Sequence, residues 1–202
     1  MSVPHNAVLN PSGAFAISSW FNATLIDPST NSGDMLVSKG DWNGINSYSF
    51  SFYNGGGGDI LRCNIGNEWF AGPTYASSNF SVGKWYHVVC MADSKGHRLY
   101  VNGNLVASSS LTPTTVTDTA EMDIGELAFS PGNYSFFTGA IDDVRVYNHV
   151  LSPDEIKRLY QMGGTLKLNA TSNSLTKGLV GWWTFDGKVT VHLFNRVRRR
   201  GA

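Results

Sequence analysis

Apolar and polar residues alternate with a period of two through most of this chain, and short Gly/Ser/Asn clusters separate the runs. That period belongs to strands, whose successive side chains point to opposite faces. It predicts strands at about 14–22, 34–38, 46–53, 59–65, 85–92, 97–101, 104–108, 120–128 and 135–148. Asn102-Gly103, between LYV and NLV, predicts a tight hairpin of type I′. In the last strand, Ile141, Asp143, Arg145 and Tyr147 alternate with Asp142, Val144, Val146 and Asn148.

The period changes once. Ser152-Pro153-Asp154-Glu155 has the composition of a capping box, with proline at the first helical position, where its missing N–H costs nothing. Ile156, Leu159 and Tyr160 form one apolar stripe, and Gly163-Gly164 ends the helix. The expectation is therefore an all-β domain closed by a single short helix. After it, residues 164–177 read as a polar linker, and 178–187 (GLVGWWTFDG) as one more strand. Trp182, Trp183 and Phe185 are too apolar to be left in water. A linker of about 15 residues reaches roughly 50 Å when extended, more than the length of a sandwich. The expected fate of 178–187 is to pack back on domain 1–163, in cis or by exchange between two chains. A basic tail, 188–202 with Arg196, Arg198, Arg199 and Arg200, reads as a solvated end.

The strand–helix segment 139–160 (GAIDDVRVYNHVLSPDEIKRLY) resembles the close of the laminin-G-like/pentraxin domains of the concanavalin A-like superfamily, in its bacterial laminin-G-like type. Val3–Trp20 (VPHNAVLNPSGAFAISSW) resembles an early strand of that group, and 85–92 (WYHVVCMA) and 99–106 (LYVNGNLV) its central hairpin region. The four pieces occur in the family's order over residues 3–162, and 178–187 resembles the strand with which such domains begin. The resemblance implies a two-sheet antiparallel jelly-roll β-sandwich. It further implies a non-catalytic module of an extracellular or cell-surface protein that binds polysaccharide or glycoprotein glycans, with an adhesion spacer as the alternative. Fold alone does not settle a ligand.

The 202 residues suffice for one such sandwich. Net charge is zero, so no global field recruits nucleic acid or an anionic membrane surface. No apolar run approaches the roughly 20 residues of a membrane helix, and no basic-then-apolar leader pattern opens the chain. Cys63 and Cys90 both fall in strands. They read as two buried free thiols; a disulfide would need adjacent strands and matched Cβ directions. In pentraxins the cysteine resembling Cys90 pairs with one in the early strand, but here that position falls near Ser19.

Three chemistries are candidates. Sugar sites combine aromatic faces with amides and carboxylates. Asp41, Trp42 and Asn43, with Asn67, Glu68 and Trp69, offer that mixture in two loop-like segments. A calcium ion needs six to eight oxygens. By resemblance, Asp142 and Asp186 occupy positions that can face one another, whereas the acidic loop of the pentraxin double site is replaced by Leu127–Gly132, which lacks carboxylates. Glu121, Asp123 and Glu126 match letter for letter the Glu-x-Asp-x-x-Glu of laminarinase-type β-glucanases, whose first Glu is nucleophile and last Glu acid/base. Only one strand and the helix follow the motif here, so the reading is of an ordinary strand and not an enzyme. The five histidines lack zinc spacing, Ser never stands in Gly-x-Ser-x-Gly, and Asn54–Gly58 lacks the Lys-Ser/Thr of a phosphate loop.

Overall fold

A computed structural model describes residues 1–26, 34–40, 46–54, 59–66, 72–114, 117–130, 133–163, 174–185 and 190–193. The strands, in chain order, are β1 (Ser2–Val3), β2 (Phe15–Ala23), β3 (Asp34–Gly40), β4 (Asn46–Asn54), β5 (Asp59–Ile65), β6 (Thr74–Ala76), β7 (Trp85–Asp93), β8 (Gly96–Val101), β9 (Asn104–Ser109), β10 (Met122–Ile124), β11 (Glu126–Ser130), β12 (Asn133–Phe136) and β13 (Gly139–Tyr147). Helix α1 (Pro153–Met162) follows, then β14 (Leu179–Thr184) and β15 (Thr190–Leu193). A six-stranded sheet runs β1-β10-β3-β4-β5-β6 and a seven-stranded sheet β15-β14-β13-β2-β7-β8-β9, with β11 and β12 paired as a separate hairpin. All these pairs are antiparallel.

Alternation sorts the faces. Phe50, Phe52, Leu61, Cys63 and Ile65 of one sheet meet Phe15, Ile17, Phe21, Val88, Cys90, Leu99, Val144 and Val146 of the other in one buried cluster. Cys63 on β5 and Cys90 on β7 form a disulfide across that core, with Cα atoms 5.5 Å apart. This corrects the reading of two free thiols. The cysteines lie on strands of opposite sheets that face each other, and sequence alternation says nothing about which strands face. The register sets Ile17, not Ser19, opposite Cys90.

The expected hairpin forms at Asn102-Gly103, both with positive φ (49° and 81°), as a type I′ turn requires. The expected single strand over 120–128 is broken at Gly125 (φ 78°), which leaves β10 in the six-stranded sheet and starts the β11–β12 hairpin. The strand expected over 135–148 is divided in the same way between β12 and β13.

On the outer face of the seven-stranded sheet, α1 covers a second cluster of Ala16, Val89, Met91, Tyr100 and Tyr147 with Ile156 and Leu159. The capping box forms, and Gly163 (φ 50°) caps the far end. Tyr160, read as part of the apolar stripe, keeps 38% of its surface exposed at the helix edge. Strand β14 pairs antiparallel with β13, setting Trp183 opposite Val144 and Trp182 opposite Arg145. Trp183 points into the inter-sheet core and Trp182 into the outer cluster.

Candidate functional site

The two candidate sugar-binding segments spring from the same end of the six-stranded sheet. The register Lys39↔Tyr48↔Ile65 places the end of β3, the start of β4 and the end of β5 side by side. Asp41, Trp42, Asn43, Asn67, Glu68 and Trp69 themselves lie outside the described residues, as does Asp186. Their supports are described, and each is tied by buried polar groups. Lys39 forms an ion pair with Asp118 and donates to Ala120 O at 2.7 Å, while Ser47 Oγ donates to the other Asp118 oxygen. His97, fully buried, has Nε2 2.9 Å from Ile65 O and Nδ1 2.7 Å from Leu111 O. Asn64 Oδ1 accepts from Gly72 N at 3.3 Å. At Gly72 a side chain has no room, since an added Cβ would lie 1.6 Å from Cys63 O.

Asp118, Ser47 and His97 were not singled out from the sequence. One signal for the network was present: Lys39 follows Val37 in the inward series of its strand, where a lysine must find a partner. Beside it Tyr48 is buried, and burial, reinforced by the Asp118 charge, raises its phenol well above the usual value.

Across the outer face of the same sheet runs a polar row in direct register, Ser2–Asp123–Ser38–Ser49–Asn64. Asn64 Nδ2 donates to Ser49 Oγ at 3.3 Å, and Ser38 Oγ to Glu126 O at 3.2 Å, which draws the β11–β12 hairpin onto this face. Ser38, Ser49, Ser51 and Asn64 are all buried. Arg62, also buried, lies 4.0 Å from the centre of the Tyr53 ring. Burial lowers its pKa, with Tyr53 opposing the shift.

The Glu-x-Asp-x-x-Glu letters fall on the rim of this face. Ser2 Oγ donates to Glu121, and the Met1 ammonium donates to Glu126 at 3.0 Å and to Ile124 O at 2.7 Å. Residues 1 and 2 thus engage both glutamates. Asp123 is raised above its usual range, chiefly by burial, with Glu126 and Glu121 adding to the rise against the opposing Ser2 hydrogen bond.

On the other sheet, Asp142 faces the end of β14. Its Oδ1 accepts from Asp143 N at 2.7 Å and from Phe185 N at 3.3 Å, one residue before Asp186. Among the described residues no group of three or more His, Cys, Asp or Glu could hold a metal ion. Asp142 would supply one carboxylate to the expected calcium site, and Asp186, its expected partner there, lies outside the described residues.

Against known proteins, a laminin G-like family model, described as the concanavalin A-like lectin/glucanases superfamily, matches residues 1–157. Among solved structures, the fold is similar to a Bacteroides ovatus protein provisionally described as carbohydrate binding (TM-score 0.68, 18% identity, 96% of this chain and 57% of that one). It is also similar to a heptameric SAP-like pentraxin from Limulus polyphemus (0.59, 14%, 96% and 86%). A third likeness is to domain 4 of AbnA, an extracellular arabinanase from Geobacillus stearothermophilus, in complex with arabinotriose (0.56, 20%, 79% and 72%). At these identities the likeness is one of fold. A search of curated protein sequences finds no match.

Proposed function

This chain belongs to the concanavalin A-like lectin/glucanases superfamily, and from that premise we propose that it is a non-catalytic module that binds polysaccharide or glycoprotein glycans. The observation that carries the reading is the rim. Two segments rich in Trp, Asn and acidic residues hang from adjacent strand ends, and the residues at their bases are clamped by a buried ion pair and by hydrogen bonds. Rigid supports beneath variable segments are how sheet folds present binding groups. The arabinotriose complex of AbnA domain 4 and the carbohydrate-binding description of the Bacteroides ovatus protein support a sugar ligand.

A glycan array followed by calorimetry tests this. Trp42→Ala and Trp69→Ala are each expected to weaken the best glycan at least tenfold, with no reducing sugar released. A folded protein that binds no glycan on the array would leave the adhesion-spacer reading in its place. The Glu121-x-Asp123-x-x-Glu126 spacing carries the glucanase as second reading. Glucan turnover that disappears in Glu121→Gln would establish it.

Three further elements belong to the same proposal. The disulfide supports an exported or cell-surface location, since such bonds persist in oxidising compartments. A structural calcium ion at Asp142 and Asp186 would stabilise by about 2.7 kcal/mol at a hundred times its dissociation constant. An unchanged Tm on passing from EDTA to excess calcium removes the ion from the proposal. The chain acts as a monomer with β14 on its own β13, and a stable dimer by light scattering would point to strand exchange instead.

A further inference from the structure

Residues 41–45 join β3 to β4, and one carboxylate holds the strand ends on both sides of them. Lys39 forms its ion pair with Asp118 Oδ1, and Ser47 donates to Oδ2, so each oxygen serves one strand. Asp118 is itself fixed by Ala120 N, which donates to Oδ1 at 2.9 Å, and by Asn10 Nδ2, which donates to the Asp118 carbonyl at 3.0 Å. His5 Nδ1 lies 3.5 Å from the Lys39 ammonium. The β3–β4 register slips between Lys39 and Gly40, where Gly40 adopts φ 129°, so the regular ladder fails just where the side-chain clamp begins. Lys39 and Ser47 are both buried. A buried ion pair repays its desolvation only in good geometry, so the arrangement of Lys39 and Asp118 is demanding.

We infer that Asp118 is the positioning residue of the rim, setting the separation and direction of the two strand ends that carry Asp41, Trp42 and Asn43. Its role in affinity rests on the glycan-binding reading above; its role in geometry does not. In the full-length protein, Asp118→Asn keeps the shape of the side chain and removes the charge. Amide hydrogen exchange at residues 38–40 and 46–48 is expected to quicken at least tenfold, with residues 88–92 of β7 unchanged. Binding of a panel of cellohexaose, xylohexaose, laminarihexaose and arabinotriose is expected to weaken at least tenfold. A helix-cap variant, Ser152→Ala, should lower the Tm while keeping wild-type affinity, which separates positioning from general stability. If Asp118→Asn does not fold, Ser47→Ala removes one arm of the clamp and is read in the same way.

Exchange at 38–40 and 46–48 that matches wild type overturns the inference. So does full affinity in Asp118→Asn alongside lost affinity in Trp42→Ala. Wild-type affinity in Trp42→Ala, or no binding of any of the four sugars, sinks the rim reading instead, and the exchange result alone then decides the clamp.

Discussion

Asp143 sits at φ 53°, in the left-handed region that residues with a Cβ rarely adopt, and does so fully buried. It is held there by an ion pair with Arg145 at 2.7 Å and by the Trp182 indole N–H, which donates to its Oδ1. The distortion belongs to a bulge in β13 between Asp142 and Arg145. Ile141 packs on the inter-sheet core, yet Arg145 lies beside Trp182 on the outer face. Sequence alternation had placed both on one face. Asp143→Ala strands a buried guanidinium, and a loss of about 3–5 kcal/mol in urea unfolding is expected; a loss under 1 kcal/mol would show that Arg145 finds another partner. His87, bonded to Ser18 at 2.9 Å, has its pKa lowered from 6.5 to about 3, first by burial and then by the Arg145 charge. The unfolded chain takes up this proton near pH 6.5 and the folded chain only near pH 3. The stability it contributes is therefore whole above pH 6.5 and is lost as pH falls towards 3. His87→Gln should flatten the stability profile across that window, and an unchanged slope would contradict the assignment.

Helix α1 and strand β14 differ in how they are stabilised. The helix carries its own signals: Ser152 Oγ accepts from Glu155 N, and the Glu155 carboxylate accepts from Ser152 N at 2.9 Å. Every capping partner lies within one turn, which is why 152–163 is legible in the sequence. Ser152→Ala is expected to cost about 1 kcal/mol, seen as a lower Tm with the fold intact. Strand β14 pairs locally with the four-residue β15, but its other partner, β13, lies far back in the chain. Trp183 is fully buried against core residues that arrive from distant parts of the chain. Trp183→Ala should cost about 3–5 kcal/mol in denaturant. A change within error would mean that β14 contributes little to the folded state. Its apolar character was readable from GLVGWWTF; its partner β13 was not, because strand pairing depends on elements that no local window contains.

At the scale of the molecule, the disulfide closes a sequence separation of 27 residues while joining two sheets. The loop-entropy model puts its contribution at about 3.5 kcal/mol. The double variant Cys63→Ala/Cys90→Ala should lose that amount by chemical denaturation, and reduction of the native protein should match it. A loss below 1 kcal/mol would mean that inter-sheet packing alone sets the alignment. The same distinction runs through the candidate site. Trp42 and Trp69 stand out by residue type and by the turn-like residues around them, whereas Asp118 and His97 carry no local mark. Asp118 becomes important because the fold brings residues 39, 47 and 118 to one point. By itself the sequence determined the strand period, the Asn-Gly turn and the capped helix, because those depend on backbone sterics and on partners a few residues away. The tertiary structure alone decided which strands face each other, where β13 bulges and which charges are buried together. Those outcomes depend on buried groups meeting partners from distant segments, and no segment alone holds enough of the partners.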